Sequence, residues 1–151
     1  MKARNVMTVQ VTCVTPEVSL ADAQAEMRRL CVRHLPVTAQ GELVGILSDR
    51  DLLMHAALES DGSFSFPDVK VGQVMTRGPI TCPPGTPVSK LASLMLEHRI
   101  DSLPIVSVGG GLAGIVTSAD LLALLTRPET ASEALPFRFD IRVIKGRAAA
   151  S

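Results

Sequence analysis

Gly45-Ile46-Leu47-Ser48-Asp49-Arg50-Asp51 is written twice in this chain, the second time as Gly114-Ile115-Val116-Thr117-Ser118-Ala119-Asp120. Both copies keep a glycine, an isoleucine, an apolar residue, a hydroxyl residue, two variable positions and an aspartate. Each closes an apolar run of strand length, Leu43 to Leu47 or Leu112 to Val116, and opens a helical pattern at Asp51-Leu52-Leu53 or Asp120-Leu121-Leu122. A hydroxyl at a helix start with a carboxylate three residues on is the pattern of a capping box, in which side chains satisfy the orphan amides of the first turn. The same geometry offers free amides and the positive helix end to a phosphate, and an aspartate to ribose hydroxyls. One copy does not choose between a cap and a binding site.

The repeat extends well beyond the motif. Val6-Met7-Thr8 returns as Val74-Met75-Thr76, Pro16 as Pro84, Met27 as Met95 and Leu35-Pro36 as Leu103-Pro104, all at the spacing of Met7 to Met75. One extra glycine in Gly109-Gly110-Gly111 lengthens that spacing by a residue from Leu43/Leu112 onward. The chain is a tandem duplication, and such units stack to bury a core that neither completes alone.

In the first repeat Ser19, followed by Asp22, reads as a helix cap, with Leu20, Ala23, Met27 and Leu30 on one helical face. Two strands follow, His34 to Thr38 and Leu43 to Leu47, joined by the polar turn Ala39-Gln40-Gly41-Glu42, and a second helix is expected from about Asp49 to Leu58. The second repeat copies this plan, with Thr86 as the expected cap, Pro87 at the first helical position, and Val88, Leu91 and Met95 on the buried stripe. Each repeat reads β-α-β-β-α, an α+β fold. The expected boundaries are 1–59 for repeat 1, 60–73 for a linker, 74–127 for repeat 2 and 128–151 for a tail. Ser60 to Pro67 is loop-like by composition. Phe137 to Val143 alternates apolar and charged residues, which suggests a strand added to a sheet edge or to a neighbouring chain, with a partly ordered tail as the alternative. Lys145 to Ser151 reads as disordered.

Composition narrows the function. Lysine plus arginine equals aspartate plus glutamate, 15 each, so no global charge draws the chain to nucleic acid or an anionic membrane. Tryptophan and tyrosine are absent, and the four phenylalanines lie outside the repeated units, which removes the stacking platforms of a single-strand binder. No apolar run reaches the length of a membrane span and the N-terminus lacks a signal-peptide core, so a cytoplasmic protein is expected. Cys13, Cys31 and Cys82 have neither zinc-knuckle spacing nor an even count, and buried packing is expected of them. His55 and His98 have no acidic or cysteine partner at ligand spacing, so no metal is expected. An enzyme is disfavoured: the sequence shows no nucleophile-base pair, metal cluster or phosphate loop, and periodicity assigns Cys31, near His34, to the core.

The ordered set of Val-Met-Thr, the Thr15-Pro16 and Pro83-Pro84 steps, His34-Leu35-Pro36-Val37 and Ser102-Leu103-Pro104-Ile105, and the two glycine-to-aspartate stretches resembles the CBS domain pair, or Bateman module. The likeness runs from Val6 to about Leu125. It leaves no catalytic domain to regulate in cis, so a stand-alone module acting on a partner protein in trans is expected. The resemblance implies two pseudo-symmetric repeats packed as one Bateman module, with clefts between them. Each cleft is able to take AMP, ADP, ATP or S-adenosylmethionine as a regulatory ligand, as in energy sensing. It also implies a homodimer packed through the CBS helices.

Carried over residue by residue, the resemblance groups Ile46, Ser48, Arg50 and Asp51 with Ile80, Asp101, Ser102 and Pro104. The second group is Ile115, Thr117 and Asp120 with Thr12, Arg33, His34 and Pro36. The chemistry is coherent: isoleucines and prolines give an apolar slot for adenine, an aspartate accepts from a ribose diol, and arginines with free amides receive phosphate. The groups differ in charge. Arg33 and His34 accompany Asp120, whereas Asp101 and Ser102 accompany Asp51, and a carboxylate near a polyphosphate is repulsive. The Asp120 group is therefore expected to prefer phosphorylated ligands, unless Arg50 compensates in the other. The alternative function is a structural or dimerisation module in which the motifs act only as caps.

Overall fold

The computed structural model describes residues 1–126 and 140–146. The expected α+β plan returns in both repeats, except that the first strand of the second repeat is reduced to a single bridge at Cys82. In the first repeat, strand β1 (Gln10–Val14) is followed by helix α1 (Leu20–Leu30), strands β2 (His34–Ala39) and β3 (Glu42–Ser48), and helix α2 (Asp49–His55). A small hairpin, β4 (Ala57–Leu58) and β5 (Phe64–Ser65), a single helical turn α3 (Val71–Val74) and strand β6 (Thr76–Arg77) lead onward. The second repeat contributes α4 (Val88–His98), β7 (Ser102–Val106), β8 (Leu112–Thr117) and α5 (Ser118–Leu125), and β9 (Asp140–Ile144) comes last.

Spatially, the described residues form two compact units that do not coincide with the two sequence repeats. Unit 1 takes residues 1–11 with described residues of 80–141, and unit 2 takes residues 12–79 with described residues from 142 onward. The leading segments have changed places. In unit 1 the amides of Ala3 and Arg4 donate to the carbonyls of Thr86 (2.7 Å) and Pro84 (3.1 Å). In unit 2 the amides of Val71 and Gly72 donate to those of Val18 (2.8 Å) and Pro16 (2.9 Å). Met1 to Val11, which the sequence places in repeat 1, thus completes the unit built on repeat 2. Val71, inside the expected linker, is fully buried in unit 2 beside Leu20, Met27 and Leu47.

Unit 2 contains most of a five-stranded sheet in the order β6-β3-β2-β1-β9. β1 runs parallel to β2 (Val14 opposite Val37), β2 is antiparallel to β3, and β3 is antiparallel to β6. In unit 1 the antiparallel pair β7-β8 is extended by single bridges at Thr8–Ile115 and Cys82–Ile105. Both hairpins carry a register shift at equivalent places, Val37/Thr38 and Ile105/Val106. Their turns differ. Gln40 (φ 51) and Gly41 (φ 81) make a two-residue turn of the kind hairpin twist favours, whereas the added glycine gives a longer loop closed by Ser107 N–H on the Gly111 carbonyl at 2.9 Å.

Helices α1 and α4 lie on their sheets through the expected stripe, and Leu20, Ala23, Met27, Leu91 and Met95 are all buried. Each fully buried leucine contributes roughly 1.5–3 kcal/mol relative to exposure. Both helices end on a residue in the left-handed region, Cys31 (φ 54) and Arg99 (φ 53), where glycine is the usual occupant.

Several expectations are corrected. Helix α2 stops at His55, because Ala56 is extended and the next residues pair with β5 inside the supposed loop. Pro87 is the cap residue of α4 and Thr86 makes no cap bond, since the helix begins at Val88. Cys13 and Cys82 are buried as expected, and burial raises both thiols, Cys13 to about 11, but Cys31 is exposed at the end of α1. The C-terminal alternation forms a strand beside β1 of its own chain over Asp140–Ile144, while Phe137 to Phe139 lie outside the described residues. Gly146, read as part of a disordered end, is bonded to the Thr15 hydroxyl at 3.1 Å. Residues 147–151 lie outside the described residues.

Candidate functional site

The glycine-to-aspartate stretch begins as the end of a strand. Gly45 and Ile46 pair with Arg77 and Thr76 of β6, and Ile115 exchanges amide-carbonyl bonds with Thr8 at 2.8 and 3.0 Å. No side chain fits at either glycine. A Cβ on Gly45 would stand 2.5 Å from the Met75 sulfur and 2.9 Å from the Thr76 carbonyl oxygen; on Gly114 it would stand 2.6 Å from the Thr8 carbonyl oxygen. The Val-Met-Thr segment and the glycine, far apart in sequence, are therefore one packing device.

Beyond the strand, each motif closes on itself. Asp51 Oδ2 accepts from the Ser48 amide (2.8 Å) and the Ser48 hydroxyl (2.9 Å), and the Asp51 amide donates back to Ser48 Oγ (3.1 Å). Asp120 Oδ2 accepts from the Thr117 amide (2.7 Å) and hydroxyl (2.9 Å), with a longer return bond of 3.4 Å. The capping boxes are complete, and all four residues are partly buried. Among the described residues the second carboxylate oxygen of each aspartate makes no hydrogen bond. One oxygen builds the turn and the other stays available as an acceptor. Each hydroxyl already donates to its aspartate, so toward a ligand it serves as an acceptor unless it rotates.

Strand register brings further expected residues alongside. In unit 2 His34 lies opposite Ser48 and Pro36 opposite Ile46, and the Asp49 amide donates to the Arg33 carbonyl at 2.9 Å. In unit 1 Ser102 lies opposite Thr117 and Pro104 opposite Ile115, and the Ser118 amide donates to the Asp101 carbonyl at 2.9 Å. The two ends match in backbone and differ in charge. Unit 2 carries Arg33, His34 and Arg50 there, with Arg33 Nε 3.9 Å from Asp49, and unit 1 carries Asp101, Ser102 and Ala119. Thr12 is half-buried in β1, and Arg50 is exposed on the first turn of α2. Of the apolar candidates, Pro36 and Pro104 are fully buried and Ile115 nearly so, while Ile46 and Ile80 keep accessible surface. The resemblance groups Pro36 and His34 with Asp120, and Pro104 and Ser102 with Asp51. That grouping joins residues of separate units and belongs to the proposal below.

Sequence reasoning missed the glycine contacts, and the signal was there: a small residue repeated at one strand position marks a close backbone approach. It also missed an apolar cleft of about 390 Å³ in unit 2, lined by Met27, Arg28, Leu52, Leu53, Phe64 and Phe66 among others. This cleft lies on the helical face and includes one expected site residue, Arg33. Among the described residues no group of three or more His, Cys, Asp or Glu could hold a metal ion, and no helix is long and apolar enough to cross a membrane.

Residues 3–57 and 71–127 each match the CBS domain. The chain belongs to the CBS domain family. It is 32% identical over 133 residues to the CBS domain-containing protein YhcV of Bacillus subtilis, a match spanning 87% of this chain and 91% of YhcV. Among solved structures it resembles the CBS domain pair of protein MJ0100 in complex with 5'-methylthioadenosine and S-adenosyl-L-methionine, with a TM-score of 0.73 and 25% identity over 83% of this chain and 96% of that one. It also resembles CBSX2 in complex with AMP, with a TM-score of 0.71 and 29% identity over 83% of this chain and 96% of that one. Each CBS match contains one complete glycine-to-aspartate motif.

Proposed function

We propose that this CBS pair is a regulatory module, not an enzyme, that binds an adenosine-containing ligand at its glycine-to-aspartate turns and signals to a partner protein in the cytoplasm. The observation that carries this reading is the split use of the aspartates. In both units Oδ2 holds the turn while the other oxygen has no described hydrogen-bond partner, which suits a carboxylate receiving a ribose diol on a turn already built. AMP, ADP, ATP and S-adenosylmethionine are the proposed ligand class, supported by what the MJ0100 and CBSX2 structures contain. Signalling requires that the ligand bind two arrangements of the module with different affinity.

The proposed ligand groups are Ile46, Ser48, Arg50 and Asp51 with Ile80, Asp101, Ser102 and Pro104, and Ile115, Thr117 and Asp120 with Thr12, Arg33, His34 and Pro36. The second group, holding Arg33 and His34, is proposed to favour phosphorylated ligands.

A structural reading is favoured by a different observation. The capping boxes are complete in themselves, and the helical faces expose Leu53, Met54, Leu122 and Leu125. That surface supports a homodimer packed through the CBS helices, which accompanies either reading. A thermal-shift panel of AMP, ADP, ATP, GTP, S-adenosylmethionine and NAD separates the two. A true ligand at a hundred times its Kd adds about 2.7 kcal/mol and several degrees to Tm. A flat panel overturns the sensing function and leaves the dimer.

A further inference from the structure

The apolar cleft of about 390 Å³ in unit 2 is used by no part of the adenosyl reading apart from Arg33. Its walls come from three separate elements. Helix α1 supplies Met27, helix α2 supplies Leu52 and Leu53, and the β4-β5 hairpin with the chain just after it supplies Phe64 and Phe66. Met27 and Leu52 belong to the buried core and Phe66 packs against it, so the deep side of the cleft is fixed. Leu53 and Phe64 are 64% and 50% exposed, so the mouth opens to solvent between apolar lips. Charge gathers at the same cleft. Arg28, Arg33 and Asp49 line it, and Arg33 Nε stands 3.9 Å from Asp49 Oδ2. Arg28 is left as an exposed guanidinium with no ion pair among the described residues. One uncompensated positive charge therefore borders an apolar chamber.

We propose that this cleft is a second small-molecule site, for an amphipathic monocarboxylate whose alkyl body fills the apolar walls and whose carboxylate pairs with Arg28. The volume lies within the roughly 300–1,000 Å³ of small-molecule sites, and apolar and aromatic walls with a few polar groups are what such sites share. A volume of this size, walled by three elements, matches one small molecule and not the extended row of anchors of a docked helix. The head group follows from the charge. A guanidinium holds a carboxylate bidentately, whereas a neutral or cationic head leaves Arg28 unmatched. Gln24, one turn before Arg28 on α1, adds an amide donor to the lining. The hairpin wall is held to itself by the short pairing of Ala57 and Leu58 with Ser65 and Phe64. A ligand touching α1, α2 and the hairpin joins them, and so stabilises unit 2 whether or not an adenosyl ligand binds elsewhere.

The test is calorimetric titration of octanoate, octanol and octylammonium, each below its aggregation concentration, into the full-length wild type and the variants Arg28→Gln and Ala56→Trp. Octanoate should bind the wild type at a single site per chain, more tightly than the other two compounds. Arg28→Gln should weaken octanoate on the order of tenfold and leave octanol unchanged, because only the charged head meets Arg28. Ala56 lines the cleft, so Ala56→Trp fills it and should abolish binding while the protein still melts cooperatively. Cys31 also lines the cleft and is the exposed cysteine of the three, so its reaction with N-ethylmaleimide reports occupancy. Saturating octanoate should slow that reaction in the wild type and not in Ala56→Trp. If Ala56→Trp does not fold, the Arg28→Gln comparison and the Cys31 rates decide the case. No octanoate binding, equal affinity for the three head groups, an unchanged affinity in Arg28→Gln, or undiminished binding to a folded Ala56→Trp overturns the proposal. Shielding of Cys31 that rises with protein concentration alone, without octanoate binding, assigns the cleft to a second copy of the chain and overturns it as well. A flat adenosyl panel leaves each of these outcomes untouched.

Discussion

Gly114 lies against Thr8 so closely that a single added methyl would meet the Thr8 carbonyl oxygen at 2.6 Å, while the amide and carbonyl of the neighbouring Ile115 bond to Thr8 on either side. The glycine is there because another segment's backbone occupies the space a side chain needs. Gly114→Ala should destabilise the protein by about 1–3 kcal/mol, the usual cost of overpacking. Gly45→Ala should cost less, because its nearest neighbour is the flexible Met75 sulfur, although the Thr76 carbonyl oxygen at 2.9 Å still resists. Urea melts of the two variants check both the cost and the order.

The caps make a separate stability prediction. Ser48→Ala and Thr117→Ala each remove an acceptor for a first-turn amide and should cost about 1 kcal/mol. Ser48→Ala should be the more damaging, since its return bond is 3.1 Å against 3.4 Å for Thr117. Asp51→Asn and Asp120→Asn keep the shape of the turn and weaken the acceptor. If the adenosyl reading is right, they lower ligand affinity more than they lower Tm. Calorimetry with AMP and S-adenosylmethionine, run beside thermal melts, distinguishes the two effects.

Arg99 ends α4 at φ 53 without being a glycine. Arg99→Gly should therefore stabilise the protein by roughly 0.5–1 kcal/mol, whereas Ser89→Gly, inside the same helix, should destabilise it by a similar amount. Guanidinium melts of the pair give opposite signs if the backbone conformation is the cause.

The thiols should separate by environment. A disulfide-exchange reagent at pH 8 should titrate Cys31 quickly, and Cys13 and Cys82 only on unfolding, because the first is exposed and the others are buried. Burial lifts Cys13 from its ordinary 9.0 to about 11. A raised thiol binds its proton more tightly in the folded state, so this contribution to stability is full below pH 9 and is lost as pH rises toward 11. Chemical denaturation across that window should show the decline, and Cys13→Ser should flatten it.

Leu53→Glu combined with Leu125→Glu places charge on the exposed helical faces of both units. If the dimer packs there, light scattering should show a shift to monomer while Tm changes little. A protein that stays dimeric with both substitutions excludes that face.

How much of this could be read from residues alone follows from which signals are local. The short apolar runs of β2 and β3, the buried stripe of α1 and the hydroxyl-to-aspartate caps are short-range, and all three appear where the pattern puts them. Helix α2 ends early because Ala57 and Leu58 find a partner in Phe64 and Ser65, a pairing no local propensity reports. Cys31 looked like a core residue by type, yet it caps a helix, where its position is set by chain reversal and not by burial.

By itself the sequence determined that the chain is a duplicated β-α-β-β-α plan, that each copy carries a hydroxyl-to-aspartate turn, and that the copies differ at Arg33-His34 and Asp101-Ser102. Only the tertiary structure decided which leading segment completes which unit. Both copies carry the same Val-Met-Thr, so pattern gives either pairing equally, and backbone contacts such as Thr8 on Gly114 and Thr76 beside Gly45 select between them. The docking of Gly146 on the Thr15–Glu17 turn was likewise beyond the sequence, since contact between residues so distant depends on where the folded chain brings them.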